Sequence, residues 1–318
     1  MNAAARLGLF AAGLVAVFGV AAAAAGAIAP EGIATGWNTS DRESTMQDHN
    51  AHDSSSPATD ADASQAGHLG GLSLAEGGFR LATVHAPGVT GEQGPLSFRI
   101  LDADGDAVTE YDVEHDKELH MIVVRTDGTQ FRHVHPERDA EGVWSIDWSW
   151  DQGGSYRLFA DFAASGSDGV TLTRTVDVAG AFAPVDPQPT AHAQVAGYDV
   201  HLTGDLVAGT ASDLTVSVTK DGAAVTDLEP YLGAFGHLVA LRQGDLGYAH
   251  VHPEGTTPAA GDLSGPDVRF AASVPTPGRY LLYFDFQVDD TVHSVPFVVD
   301  TVGAAGESDA PASDDHQH

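Results

Sequence analysis

The chain has 318 residues, with 45 acidic against 14 basic side chains, a formal net charge of −31 and no cysteine. That balance excludes nucleic-acid binding, which needs a basic surface to neutralise phosphates, and it favours cations as partners. Without cysteine there are no disulfide staples and no thiolate ligands. The domains must hold by their cores, and any metal site must draw on His, carboxylate or Met.

Residues 1–30 read as a signal peptide or membrane anchor. From Leu7 to Ala29 the chain is continuously apolar, long enough to span a bilayer. Ala25-Gly26-Ala27 fits a small-residue cleavage site. This hydrophobic helix implies an extracytoplasmic protein, secreted or anchored to the cell membrane through residues 7–29. Residues 31–70 are dominated by Ser, Asp, Ala, Thr and Gly and read as a disordered linker that can build no core. Its His49, His52 and His68 belong to a solvated tether or, as the alternative, to a metal-collecting arm.

Between residues 71 and 180 short, mostly alternating runs read as strands: Phe79–His85, Leu96–Leu101, His120–Val124, Gln130–His135, Val143–Trp148, Tyr156–Phe162 and Val170–Val178. Turn signals such as Asp104-Gly105, Asp127-Gly128 and Gly153-Gly154 separate them, the pattern of a β-sandwich. Residues 190–302 repeat the first unit. Phe79 matches Tyr198, Leu96 matches Leu214, His120 matches His237, and Tyr156 to Phe162 matches Tyr280 to Phe286. Pro184, Pro187 and Pro189 stiffen the joint. Gly154-x-Tyr156 and Gly278-x-Tyr280 resemble the tyrosine corner that opens strand F of an Ig-like sandwich. The expected architecture is all-β, two tandem Ig-like antiparallel β-sandwich domains after the N-terminal helix, with a disordered acidic tail at 303–318.

The repeat concentrates on one stretch, His120–Glu137, which recurs as His237–Glu254. Seven of its eighteen positions are identical, among them Arg125/Arg242 and three histidines in each copy. A two-residue turn at Asp127-Gly128 sets His120 opposite His135, with His133 two residues along on the same face. A turn at Gly244-Asp245 does the same for His237, His252 and His250. Three imidazoles in one patch suit a divalent transition metal, copper favoured and zinc the alternative. Strand F lies beside strand C in an Ig-like sheet, so Asp161 and Asp285 are candidate fourth ligands. Glu137 and Glu254 compete for that role. The expected metal sites are His120, His133, His135 and Asp161 in one domain, and His237, His250, His252 and Asp285 in the other, each at a sandwich end. Gly233 and Gly236 before His237 either allow a close backbone approach or form an ordinary loop. His85, His115, His192, His201 and His293 lack counterparts and read as surface or core residues.

The run Tyr-Leu-Gly-Ala-Phe-Gly-His237 followed by Tyr248-Ala-His250-Val-His252-Pro253 resembles a motif of bacterial extracytoplasmic heavy-metal-binding and secreted proteins, with Ig-like folds similar to the YtkA-like and CopC-like sandwiches. The match is good over the second unit and looser over the first, where the Gly-rich lead-in is missing. The resemblance implies metal handling, with a membrane metal transporter or a metalloprotein as partner. A His-x-His strand in a β-sandwich also resembles copper/zinc superoxide dismutase locally, but that enzyme's other metal ligands find no match. No catalytic motif is present. The reading is a non-enzymatic metal-binding protein for sequestration or delivery. The alternatives are a surface interaction module with structural histidines and a copper/zinc metalloenzyme.

Overall fold

A computed structural model describes residues 70–303. The expected signal or anchor at 1–30, nearly all of the linker and nearly all of the tail lie outside the described residues. Among the described residues there is no α-helix, and none long and apolar enough to cross a membrane. The first ten strands are β1 (Ala75–Glu76), β2 (Phe79–Leu81), β3 (Gln93–Phe98), β4 (Ile100–Leu101), β5 (His120–Arg125), β6 (Arg132–Val134), β7 (Glu137–Arg138), β8 (Trp144–Ser149), β9 (Gly154–Phe162) and β10 (Val170–Val178). Nine more follow: β11 (His192–Val195), β12 (Tyr198–Thr203), β13 (Ala211–Lys220), β14 (Ala223–Ala224), β15 (His237–Arg242), β16 (Tyr248–Pro253), β17 (Asp267–Ser273), β18 (Arg279–Val288) and β19 (Thr291–Asp300).

Each set makes an antiparallel sandwich. In the first, a sheet in the order β10-β9-β5-β6 faces β3-β8-β7, with β1-β2-β4 alongside. Their inner faces bury Leu96, Met121, Val123, Trp144, Trp150, Tyr156 and Leu158. In the second, β16 belongs to both layers. Tyr248 and Ala249 pair with β15, and His250 to Pro253 pair with β17, which joins everything into one nine-stranded sheet. Both tyrosine corners are present. The Tyr156 hydroxyl donates to Gln152 O at 2.8 Å, and that of Tyr280 to Thr276 O at 2.9 Å. With β9 set between β5 and β10, and β18 between β15 and β19, as strand F of an Ig-like sheet lies between its two neighbours, the sandwiches are Ig-like.

A third apolar cluster lies between the sandwiches. Ile122, Val124 and Phe159 of the first meet Val239, Leu241, Leu246, Leu281, Tyr283 and Val298 of the second. The two sandwiches belong to one compact unit. The cause is visible in β5, whose HMIVVR sequence is buried at every position. A strand with one wet face alternates; a strand apolar on both faces needs cover on both. Phe131 stacks on Tyr283 with ring centres 3.9 Å apart. The Tyr283 hydroxyl donates to Gly128 O at 2.6 Å, and Arg157 donates to Asp245 O at 3.0 Å. Each sandwich thus reaches the tip of the other's hairpin.

Candidate metal centre

The hairpins carry the functional side chains, and their registers follow the expectation although their turns do not. In the first, Met121 faces Val134, Ile122 faces His133 and Val123 faces Arg132. The Gly128 N–H donates to Arg125 O, and the Arg125 N–H donates to Thr129 O. Gly128 and Gln130 are both left-handed, so the loop is one residue longer than a two-residue turn. An extra residue between Thr129 and Arg132 restores the register, as a bulge does. In the second, Arg242 pairs with Gly247 across a four-residue turn, and Ala240 faces Ala249. The repeated arginine locks each turn. Arg125 forks onto Asp127 at 2.9 and 2.7 Å, and Arg242 grips Asp245 likewise. Asp127 also accepts from Thr129 and from the Val185 N–H of the joint.

His120 and His133 share the β-sheet face of Ile122, the face turned toward the second sandwich. His120 Nδ1 lies 3.2 Å from His133 Nε2 and 3.1 Å from His135 Nε2. One ring nitrogen from each of the three lies within 4.8 Å of the others, a group that could hold a metal ion. Ligands about 2.0–2.1 Å from a tetrahedral ion stand about 3.3 Å apart, so this spacing suits one ion.

The opposite edges of two rings are already committed. His120 Nε2 donates to Glu114 O at 3.0 Å, and His133 Nδ1 donates to Asp285 Oδ2 at 2.9 Å. A neutral imidazole has one N–H, so both nitrogens that face each other are left as lone pairs. Two lone pairs at 3.2 Å need a cation or a proton between them. A carboxylate or carbonyl on the far nitrogen is the arrangement that orients a metal-ligating histidine. Burial favours the neutral form of His120 and of His135. It pushes His120 down to about 4, partly offset by its bond to Glu114, and His135 down to about 2 with help from the neighbouring imidazoles.

The remaining expected residues are distributed differently. Asp161 sits directly across from His120, and Asp285 directly across from His237. Asp161 accepts from Thr171 Oγ1 at 2.7 Å, while Asp285 crosses the junction to His133 of the other copy. His237 also faces the junction. Its ring lies 6.3 Å from that of His133, and its Nε2 donates to Tyr231 O and Leu232 O. Burial pushes His237 down to about 4. His252 is exposed and pairs with Ala271; the backbone of His250 pairs with Ser273. The expected His237–His252 pairing needs β16 to stay on β15, but that pairing ends at Ala249, two positions earlier than in the first copy. Among the described residues, the first triple closes into a three-ligand group. That group lies at the junction of the two sandwiches. Glu137 is exposed on β7, and Glu254 is exposed beside His252.

One feature went unread in the sequence. His115 stands with its ring 6.2 Å from the His120 ring and 5.5 Å from the His237 ring. It occupies the segment that replaces the Gly-rich lead-in of the second copy, which was its only signal. Gly236 settles the question of the glycine pair: a Cβ there would meet Phe284 Cε2 at 2.5 Å and Asp285 O at 3.1 Å.

No curated protein matches the chain. Solved structures similar to it are remote. Salmonella alpha-2-macroglobulin reacted with methylamine is 16% identical with a TM-score of 0.24, over 71% of this chain and 15% of that one. A chimeric titin Z1Z2-Z1Z2 tandem is 12% identical at 0.18, over 68% and 93%. Domains 4 and 5 of the S-layer protein SbsC are 9% identical at 0.22, over 72% and 99%. The chain thus spans under a fifth of that macroglobulin's length. A family profile described as a domain of unknown function, DUF8832, matches twice, over residues 76–180 and 193–303. The chain belongs to the DUF8832 family and carries that domain in tandem.

Proposed function

We propose that this protein binds one transition-metal ion at the junction of its two sandwiches, through His120, His133 and His135, with Asp285 orienting His133. The observation that carries the reading is the pair of facing lone pairs on His120 Nδ1 and His133 Nε2, 3.2 Å apart, each fixed by a hydrogen bond on the far side of its ring. Imidazole donors with no thiolate suit Cu(II) or Zn(II), and the general affinity order favours copper. The apolar segment at residues 7–29 and the resemblance to extracytoplasmic metal-binding sandwiches support action outside the cytoplasm, in sequestration or in delivery to a membrane transporter or metalloprotein.

The competing way to resolve the contact is a proton on His133 Nε2, which makes it an imidazolium paired with Asp285 inside a purely structural cluster. Metal content by mass spectrometry separates the two. The untagged full chain is loaded with Cu(II) or Zn(II) and desalted beside its His133→Ala/His135→Ala variant. Histidines outside the junction count equally in both proteins, so the difference reports the centre. A loss of one ion per chain supports the reading, and the metal that shows it names the ion. Equal counts return the histidines to the structural role.

A further inference from the structure

The triad is closed from solvent on most sides. His120 is buried, and the His133 side chain is only 5% exposed. An ion needs a route to it, and a cleft opens beside the cluster at His115. That cleft, about 810 Å³, is lined by His115 and Asp116 of the first sandwich and by His252, Glu254, Asp267 and Arg269 of the second. Three carboxylates against one guanidinium make it attractive to cations, in a chain of net charge −31.

His115 stands where the cleft meets the cluster. It is exposed, and its ring approaches both His120 and His237 edge-on. The backbone holds it there by an uncommon conformation: His115 and Asp116 are both left-handed, at φ of 49° and 63°. Glu114 and Lys117 close the turn with reciprocal backbone bonds of 2.9 and 3.1 Å. The carbonyl of Glu114 is also the acceptor for His120 Nε2. One turn therefore fixes the inner ligand and presents the outer imidazole. His237 complements it, because its Nε2–H is spent on Tyr231 and Leu232, leaving Nδ1 as a lone pair.

We propose that His115 and His237 form an outer cation position at the head of this acidic cleft, where an ion is captured before it passes to the buried triad. The proposal rests on the metal-binding reading given above. Two imidazoles with water completing the shell hold an ion more weakly than three, which is what a point of entry requires.

The test uses the untagged full chain, Cu(II) as the probe, and His115→Asn, since Asn tolerates the left-handed backbone. Chelator competition gives the affinity of the tight ion, stopped-flow mixing gives the rate at which it is taken up, and thermal unfolding checks the fold. The expected result is an unchanged count and affinity, within about threefold, with uptake slowed tenfold or more. A second variant, Asp116→Asn/Glu254→Gln, slows uptake at low salt and matches wild type at high salt, as screening demands. Uptake by His115→Asn at the wild-type rate overturns the route and leaves the triad standing. A loss of tight affinity also overturns it, by making His115 an inner ligand. No tight ion in the wild type overturns the centre and the route together.

Discussion

Asp285 of the second sandwich accepts the Nδ1–H of His133 of the first at 2.9 Å, with both side chains almost fully buried. The two residues are 152 positions apart and belong to different copies of the same repeat. The bond ties the candidate centre to the packing of the domains. His133, a member of the triad, is oriented from across the junction, so neither domain completes the arrangement alone. The contacts of Tyr283 with Gly128 and of Arg157 with Asp245 fix the same junction at the hairpin tips.

Replacing the acceptor should loosen the ion without removing its ligands. Asp285→Asn keeps the shape but no longer forces the proton onto His133 Nδ1. Affinity for Cu(II), read by chelator competition, should fall 10–100-fold, with one ion still bound at saturation. An unchanged affinity would show that Asp285 does not set the His133 tautomer.

The two copies of the His-x-His pair should behave differently. His135 Nε2 lies 3.1 Å from His120 Nδ1, whereas His252 is exposed on the strand that has left β15. His135→Ala should remove the tight ion, and His252→Ala should leave it in place. Equal losses from both variants would put His252 in the centre and contradict the register.

The Arg125–Asp127 pair predicts an acid-side loss of stability. Burial works against the Asp127 carboxylate, but Arg125, Thr129 and the Val185 N–H outweigh it and hold it down at about 2, below its ordinary 3.8. That difference contributes on the order of 2 kcal/mol at neutral pH. Because the folded-state value is the lower one, the contribution is complete above about pH 4 and fades as pH falls toward 2. Asp127→Asn should unfold at lower urea than wild type at pH 7, and the gap should narrow between pH 4 and 2. A gap independent of pH would remove the carboxylate charge from the account.

Gly236→Ala should destabilise through contact alone. Its Cβ would fall 2.5 Å from the Phe284 ring, which is buried in the core of the second sandwich. Overpacking of this kind costs about 1–3 kcal/mol and should show as a lower thermal midpoint. The matching position of the first copy holds Leu119, fully buried, so Leu119→Ala should cost about 2–5 kcal/mol for the opposite reason, a cavity. A Gly236→Ala midpoint equal to wild type would mean that the Phe284 ring gives way without cost.

Much of this protein was legible in its residues. Alternating runs and turn signals defined strands such as Val170–Val178, observed with those bounds. The paired Gly-x-Tyr signals marked both tyrosine corners, and the His-x-His spacing set the register that brings His120, His133 and His135 together. These are local properties. They depend on the two-residue period of a strand and on hydrogen bonds spanning a few positions, so a single stretch of sequence contains them. What the tertiary structure alone decided is where the two copies meet. β5 and β15 are apolar on both faces, which says that each needs cover but not what covers it. The burial of Ile122 and Val124 against Val239 and Leu241 chose the partner. That choice carried Asp285 to His133, brought His237 and His115 to the same cluster, and set the first triple at the junction of the two sandwiches. Sequence periodicity fixes which way a side chain points within its own sheet, whereas the docking of two sheets depends on the shape of both assembled surfaces, and no short window of residues holds that.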